Sequence, residues 1–304
     1  MIPASAAPVL VTGLPRSGTT WLARELTRAP GVALAGREPM NPRGRQFALG
    51  GTLDGWSRLR EVTPQQRRTL QRVYRGLEPR VYSRYGVRQW SAGLPGTRLV
   101  VKDPFALLSV PVVAEVTGAV PVVLFRHPAA LFQSYRRMGW TPAVAELRRL
   151  GLTAPDVAPP DADTDPLTAM AWFWGAAYST VLQDLQDVPR ALLVDHAELA
   201  NGGDEALVAL LGACGIPGDR LSDVPGTALA DRLRAAGRRG EKPTLHNFSR
   251  SAADVTEGWR GTLSAEEAAR MEELTAQTWA ALRSSRLDLH TRTTDPAMPG
   301  KGDG

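Results

Sequence analysis

The sequence predicts an α/β protein built on a mainly parallel central sheet with helices on both of its faces. Three observations carry that prediction. Short apolar runs of strand character alternate with runs of helical character along the chain. The first apolar run ends in a glycine loop that opens directly into a helix. Each strand-like run is followed by polar residues, and crossover connections place all of these on one edge of the sheet, where such sheets bind their ligands.

The elements follow in order. Ala7–Gly13 (APVLVTG) is a short apolar run ending in glycine, which reads as a buried strand. Thr19 to Ala29 carries Leu22 and Leu26 one helical turn apart and stops at Pro30-Gly31. Val32–Ala35 reads as a second strand. Thr63–Arg84 is Arg-rich and helical in pattern, with a break expected at Pro79. Arg98–Val101 is a strand, and Phe105–Val116 is helical with a bend near Pro111. Val120–Phe125 is strongly strand-like, and Pro128 sits where a helix through Met138 begins. Thr153–Asp165, rich in Pro and Asp, is a surface loop or lid. Leu167–Leu185 is a long apolar helix, Ala191–Val194 a strand, and Asp204–Cys214 and Ser264–Leu282 are helices. A single domain is expected over 1–291, with a flexible tail over 292–304.

Composition bounds the function. The 304 residues are 43% hydrophobic, ample for a large core. The longest apolar region, Val110 to Phe125, is interrupted by Pro111, Glu115 and Pro121, so no membrane span is expected. The N-terminal MIPASAAP has no basic region before an apolar one, so no signal peptide is expected. One cysteine excludes a disulfide framework and a cysteine-rich zinc site, and the four scattered histidines have no metal-ligand spacing. A cytoplasmic protein without a metal is the expectation. The net charge of +5 fits nucleic acid, an acidic surface or an anionic small ligand. No run of five basic residues occurs, which argues against nucleic acid.

Gly13-Leu-Pro-Arg-Ser-Gly-Thr-Thr20 matches the phosphate-loop spacing G-x-x-x-x-G-K-[ST], except that Thr19 stands where nucleotide triphosphatases carry lysine. Glycines let the backbone close on an anion, and N–H groups at the helix start face it. The loop therefore predicts a phosphate-loop-like, three-layer fold that holds a phosphate-like group, and it disfavours ordinary ATP hydrolysis. Arg16 supplies a cation three positions earlier. A second unit, Val120–Met138 (VPVVLFRHPAALFQSYRRM), sets Arg126 at a strand end and Ser134 eight residues on. The intervening helix rises only about 9 Å, so both side chains reach one anion.

The two motifs together resemble the sulfotransferase family, which uses 3′-phosphoadenosine-5′-phosphosulfate (PAPS) as donor and releases 3′,5′-adenosine bisphosphate (PAP). The resemblance spans residues 8–40, 98–138 and, loosely, 246–263. It implies that Pro15, Arg16, Ser17, Gly18, Thr19, Thr20 and Trp21 hold the 5′-phosphosulfate. It likewise implies that Arg126 and Ser134 hold the 3′-phosphate. Cytosolic members usually have lysine at the Arg16 position. Val101-Lys102-Asp103-Pro104-Phe105 resembles a stretch of protein-tyrosine and bacterial sulfotransferases. In the block His246–Arg260, Arg250 and Ser251 fit the cofactor-binding loop that closes such sites, although the Arg-Lys-Gly triplet of the cytosolic branch is absent.

Sulfuryl transfer is an in-line displacement in which positioning and charge stabilisation dominate, as in phosphoryl transfer. Arg16 and the loop N–H groups suit the leaving group. Lys102, one of three lysines in the chain, follows a strand and suits the bridging oxygen or the sulfuryl group. No histidine precedes Arg126, so the histidine base of the cytosolic branch is missing. Glu38, in REPMNPR, resembles the glutamate base of the protein-tyrosine branch; its alternative is an ion pair with Arg37, Arg43 or Arg45. His127 is expected to shape its turn, Asp103 to orient its loop, Asp195-His196 to make a structural hydrogen bond, and Trp172 and Trp174 to lie in the core, with the lining of an acceptor pocket as their alternative.

The resulting expectation is a PAPS-dependent sulfotransferase acting on a hydroxyl of a small-molecule, sugar or lipid-like acceptor. The acceptor is held around residues 40–95 and 139–175, with no nucleic-acid partner, no metal, and self-association left open. The rivals are a phosphate-loop kinase or NTPase and a non-catalytic nucleotide-binding protein.

Overall fold

Parallel strands are buried on both faces, so they are spelled as continuous apolar runs. The computed structural model, which describes residues 7–35, 37–43, 48–81, 96–217 and 258–289, forms its sheet from such runs. They are β1 (Val9–Thr12), β2 (Val32–Ala35), β3 (Arg98–Lys102), β4 (Val120–Phe125) and β5 (Leu192–Asp195). The order is β2-β3-β1-β4-β5 and every pairing is parallel. β2 and β4 coincide with the runs read from sequence. β5 lies one residue later than expected, which makes Asp195 its last residue.

Alternate residues of each strand feed two separate cores. Leu10, Ala33, Val101, Val123 and Phe125 point to one face. Val9, Val11, Val100, Val122 and Leu124 point to the other. The first face is covered by α2 (Pro64–Tyr74), α3 (Val110–Thr117), α4 (Pro128–Met138), α6 (Pro166–Leu185) and the C-terminal helices α9 (Ala265–Glu273) and α10 (Ala276–Ser285). The second is covered by α1 (Thr19–Leu26), α7 (His196–Asn201) and α8 (Gly203–Ala213). A short α5 (Val144–Arg149) leans on α6. The expected three-layer, phosphate-loop-like architecture is therefore observed.

The departures are local. α2 stops before Gly76, whose left-handed φ of 70° ends the helix ahead of Pro79. Pro111 sits in the first turn of α3, where its missing N–H costs nothing. The helix expected over Ser264–Leu282 is two helices, parted where the Thr275 hydroxyl donates to the Met271 carbonyl at 2.7 Å. The tail expected over 292–304 lies outside the described residues. No described helix is long and apolar enough to cross a membrane.

Candidate functional site

All five strands end on the same edge, so the residues that follow them converge. The loop after β1 needs its glycines. Gly13 has φ 151°, and a Cβ there would lie 2.2 Å from the Leu124 carbonyl oxygen. Gly18 has φ 100°, and a Cβ there would lie 2.3 Å from Cδ2 of His196. Gly18 also caps α1 without any side-chain bond, leaving the first-turn N–H groups to the loop. Ser17 N–H donates to the Leu14 carbonyl at 3.0 Å. Arg16 between them takes a left-handed φ of 76°, uncommon for a residue with a Cβ.

That conformation aims the Arg16 side chain at α4. Its Nε donates to Ser134 Oγ at 3.1 Å, and the Arg126 guanidinium donates to the Arg16 carbonyl at 3.1 Å. The structure thus brings Arg16, Arg126 and Ser134 together around the loop, from three elements far apart in sequence. Pro15, Ser17, Thr19 and Thr20 stand in the loop and the first turn of α1, while Trp21 turns its indole against His196, ring centroids 5.6 Å apart. Arg250 and Ser251 lie outside the described residues.

Two supports come from α6, and sequence reading had assigned one to the core and passed over the other. The Tyr178 hydroxyl donates to the Leu124 carbonyl at 2.9 Å, accepts from Leu14 N–H at 3.3 Å and meets the Ser17 hydroxyl at 3.2 Å. Burial pushes this phenol up to about 12, so it stays a donor. Trp174 Nε1 donates to the Arg126 carbonyl at 3.1 Å, fixing the end of β4. The available signal was a polar tip on two aromatics of an apolar helix, because buried Tyr and Trp seek partners.

Beneath the loop, burial first and then Arg126 push His196 down to about 3, so it is a neutral ring. Asp195 accepts from Ala197 N–H at 2.8 Å, capping α7, and from Arg283 at 3.1 Å. His127 shapes its turn: Nδ1 accepts from Ala129 N–H at 3.3 Å, and the ring stacks on Trp259 at 4.5 Å. The side chains of these strand-end residues are largely occupied with structure.

The second half of the site is a carboxylate–ammonium pair. Glu38, after β2, is ion-paired through Oε1 to Nζ of Lys102, the last residue of β3. Asn41 Nδ2 donates to its other oxygen. Of the arginine alternatives, Arg43 pairs instead with Glu146 at 2.6 Å and Arg37 donates its backbone N–H to the Val81 carbonyl at 2.7 Å, while Arg45 lies outside the described residues. Asp103 is buried next to the pair and accepts two backbone N–H groups, from Phe105 and Met40. Beside Arg16, Trp140 approaches the guanidinium at 5.9 Å and walls an open groove of about 550 Å³ between α4, residues 140–142, the start of α6 and α9. Trp140, Thr141, Pro142, Asp165, Pro166, Leu167 and Met170 of its lining belong to the 139–175 span expected to hold the acceptor, whereas its residues on α4 and α9 lie outside that span. No cluster of metal-ligating side chains occurs among the described residues.

No curated protein sequence matches the chain. Two sulfotransferases are among the solved structures that resemble it. The sulfotransferase domain from the Synechococcus PCC 7002 olefin synthase is 19% identical, with 90% of this chain and 96% of that one covered and a TM-score of 0.40. A sulfotransferase from Alicyclobacillus acidocaldarius is 15% identical, with 91% and 98% covered and a TM-score of 0.42. The profile of the sulfotransferase family matches residues 8–220. That span is well over half of the chain and takes in the glycine loop, Glu38, Lys102, Arg126 and Ser134, so the chain belongs to the sulfotransferase family.

Proposed function

We propose that the protein transfers the sulfuryl group of PAPS to a hydroxyl of a small-molecule, sugar or lipid-like acceptor. The observation that supports this reading best is the gathering of Arg16, Arg126 and Ser134 past the ends of β1 and β4, and of Glu38 and Lys102 at the ends of the adjoining β2 and β3. The residues fit the donor: two glycine positions leave no room for a side chain at the loop, and two guanidinium groups and a hydroxyl suit a phosphate.

In this reading the loop N–H groups and Arg16 hold the 5′-phosphosulfate, and Arg126 with Ser134 holds the 3′-phosphate. The bound donor supplies the sulfuryl group, whose bond to the phosphate oxygen breaks as the acceptor oxygen bonds to sulfur. Glu38 takes the proton of the acceptor hydroxyl onto its carboxylate. Lys102 stabilises the charge gathering on the departing oxygen, and Arg16 shares that task. The groove beside Trp140 holds the acceptor.

The test is ligand selectivity. PAP should raise the melting temperature of the protein, and Arg126→Ala should weaken PAP by about tenfold to a hundredfold while adenosine 5′-phosphate changes little, the size of one charge-assisted hydrogen bond. Equal loss for both nucleotides removes Arg126 from the 3′-phosphate. No stabilisation of the wild type by PAP removes the donor.

A further inference from the structure

We propose that Asp103 is a positioning residue whose buried carboxylate ties the backbone of the Glu38 loop to the end of β3, and so sets Glu38 against Lys102. Its catalytic consequence rests on the sulfotransfer reading above; the tether itself does not.

Asp103 is 1% exposed. Its backbone is fastened to β1 twice, through its N–H to the Val11 carbonyl at 2.9 Å and through its carbonyl from the Thr12 hydroxyl at 2.8 Å. One carboxylate oxygen, Oδ1, accepts from Phe105 N–H at 3.0 Å and caps the 3₁₀ turn Pro104–Ser109. That is the ordinary work of an N-terminal cap, and it needs one oxygen. The second oxygen does something a cap does not require. It crosses to the loop after β2 and accepts from Met40 N–H at 2.5 Å.

Met40 stands two residues after Glu38, and Lys102 stands one residue before Asp103. The two members of the ion pair are therefore carried on backbone segments that a single carboxylate joins. Charge adds to geometry. Burial and the Glu38 charge push Asp103 up, to about 8, against the pull of the Met40 and Phe105 N–H groups and Lys102. To the extent that it is ionised, Asp103 repels the Glu38 carboxylate, while Lys102 attracts it. Tyr74, the remaining titratable neighbour, is held well above its usual range by burial and by Asp103.

Asp103→Asn and Asp103→Ser both keep an oxygen to cap Phe105. Asparagine turns a donor toward Met40, and serine is too short to reach it. The chain has three lysines, so acetylation of Lys102 by acetic anhydride can be read by mass spectrometry against Lys242 and Lys301 as internal references. In the wild type Lys102 is buried in its ion pair and should label slowly. Losing the buried bond to Met40 should raise Lys102 labelling about tenfold in both variants, as Glu38→Gln should, with the references unchanged. Turnover of PAPS with 2-naphthol or 1-octanol, whichever the wild type uses, should show kcat down by about tenfold or more with PAP affinity near the wild-type value. Wild-type labelling of Lys102 in either folded variant overturns the tether, as does a loss of PAP affinity without a change in labelling. Faster labelling in a protein that never binds PAP keeps the tether and removes the donor reading instead.

Discussion

Tyr178→Phe removes one oxygen atom and tests whether the loop after β1 is held from below. The hydroxyl contacts three groups, the Leu124 carbonyl, the Leu14 N–H and the Ser17 hydroxyl, at 2.9, 3.3 and 3.2 Å. Leu14, Ser17 and Leu124 are all fully buried, so water does not replace the lost partner. The Ser17 hydroxyl can rotate to another acceptor, which leaves two backbone groups short of a partner. Stranding each costs about 1–3 kcal/mol, so the variant should lose about 2–6 kcal/mol. A domain of this length loses roughly 2–4 °C for each kcal/mol, which gives a fall in Tm of at least roughly 4 °C and up to roughly 24 °C by scanning calorimetry. The loop should also be less ordered before it binds, so isothermal titration with PAP should show a Kd raised by about tenfold. A Tm within 2 °C of the wild type together with an unchanged Kd would refute the reasoning, because the hydroxyl would then be supporting nothing that binding uses.

Three further outcomes are expected. Gly18→Ala should lose about 2–4 kcal/mol of stability, since its Cβ meets the His196 ring and its φ of 100° resists a side chain; Gly51→Ala, at φ 80° with open space around it, is the control, and equal losses in urea melts would show that His196 does not press on the loop. Glu38→Gln should keep PAP affinity and cut turnover by about 100-fold or more, with a smaller effect for an acidic phenol than for an alkyl alcohol; wild-type rates with the alcohol would place the base elsewhere. Asp103 is raised in the folded state, so its contribution to stability is fully present below the usual carboxylate range and is lost as pH rises toward about 8, in the company of Glu38, Lys102 and Tyr74; Asp103→Asn should flatten that slope in urea melts between pH 5 and pH 8.

The sheet was legible because parallel strands are spelled as unbroken apolar runs. Val32–Ala35 and Val120–Phe125 could be bounded to the residue for that reason. Arg126 and Ser134 were legible as a pair because a strand end and eight residues of known rise fix their separation. Glu38 and Lys102 were legible only as residues after strands; that they form one ion pair follows from β2 and β3 being neighbours, which local sequence does not state. The supports were hidden for the same reason. Tyr178 reaches Leu14 across 164 positions of chain, and His196 fills the space that Gly18 leaves, contacts written in no local pattern. The split between α9 and α10 falls at Leu274-Thr275, where helical periodicity runs on unchanged. Arg250 and Ser251 lie outside the described residues.

β1 is the middle strand of five, yet it is made first. Val9 lies beside Val100 on one side and Val120 on the other, so its neighbours emerge from the ribosome some ninety and more residues later. At 5–20 residues per second, that interval is on the order of ten seconds. Throughout it, both edges of this buried, apolar strand are open, and the glycine loop behind it has neither Leu124 nor Tyr178 to rest on. Closing such long loops is slow, and open edges invite pairing with other chains. The placement of the glycine loop at the heart of the sheet thus makes yield a matter of translation speed. Slower growth at low temperature and ample chaperone should favour recovery, whereas fragments that end before β3 leave β1 with no partner and are destined for aggregates.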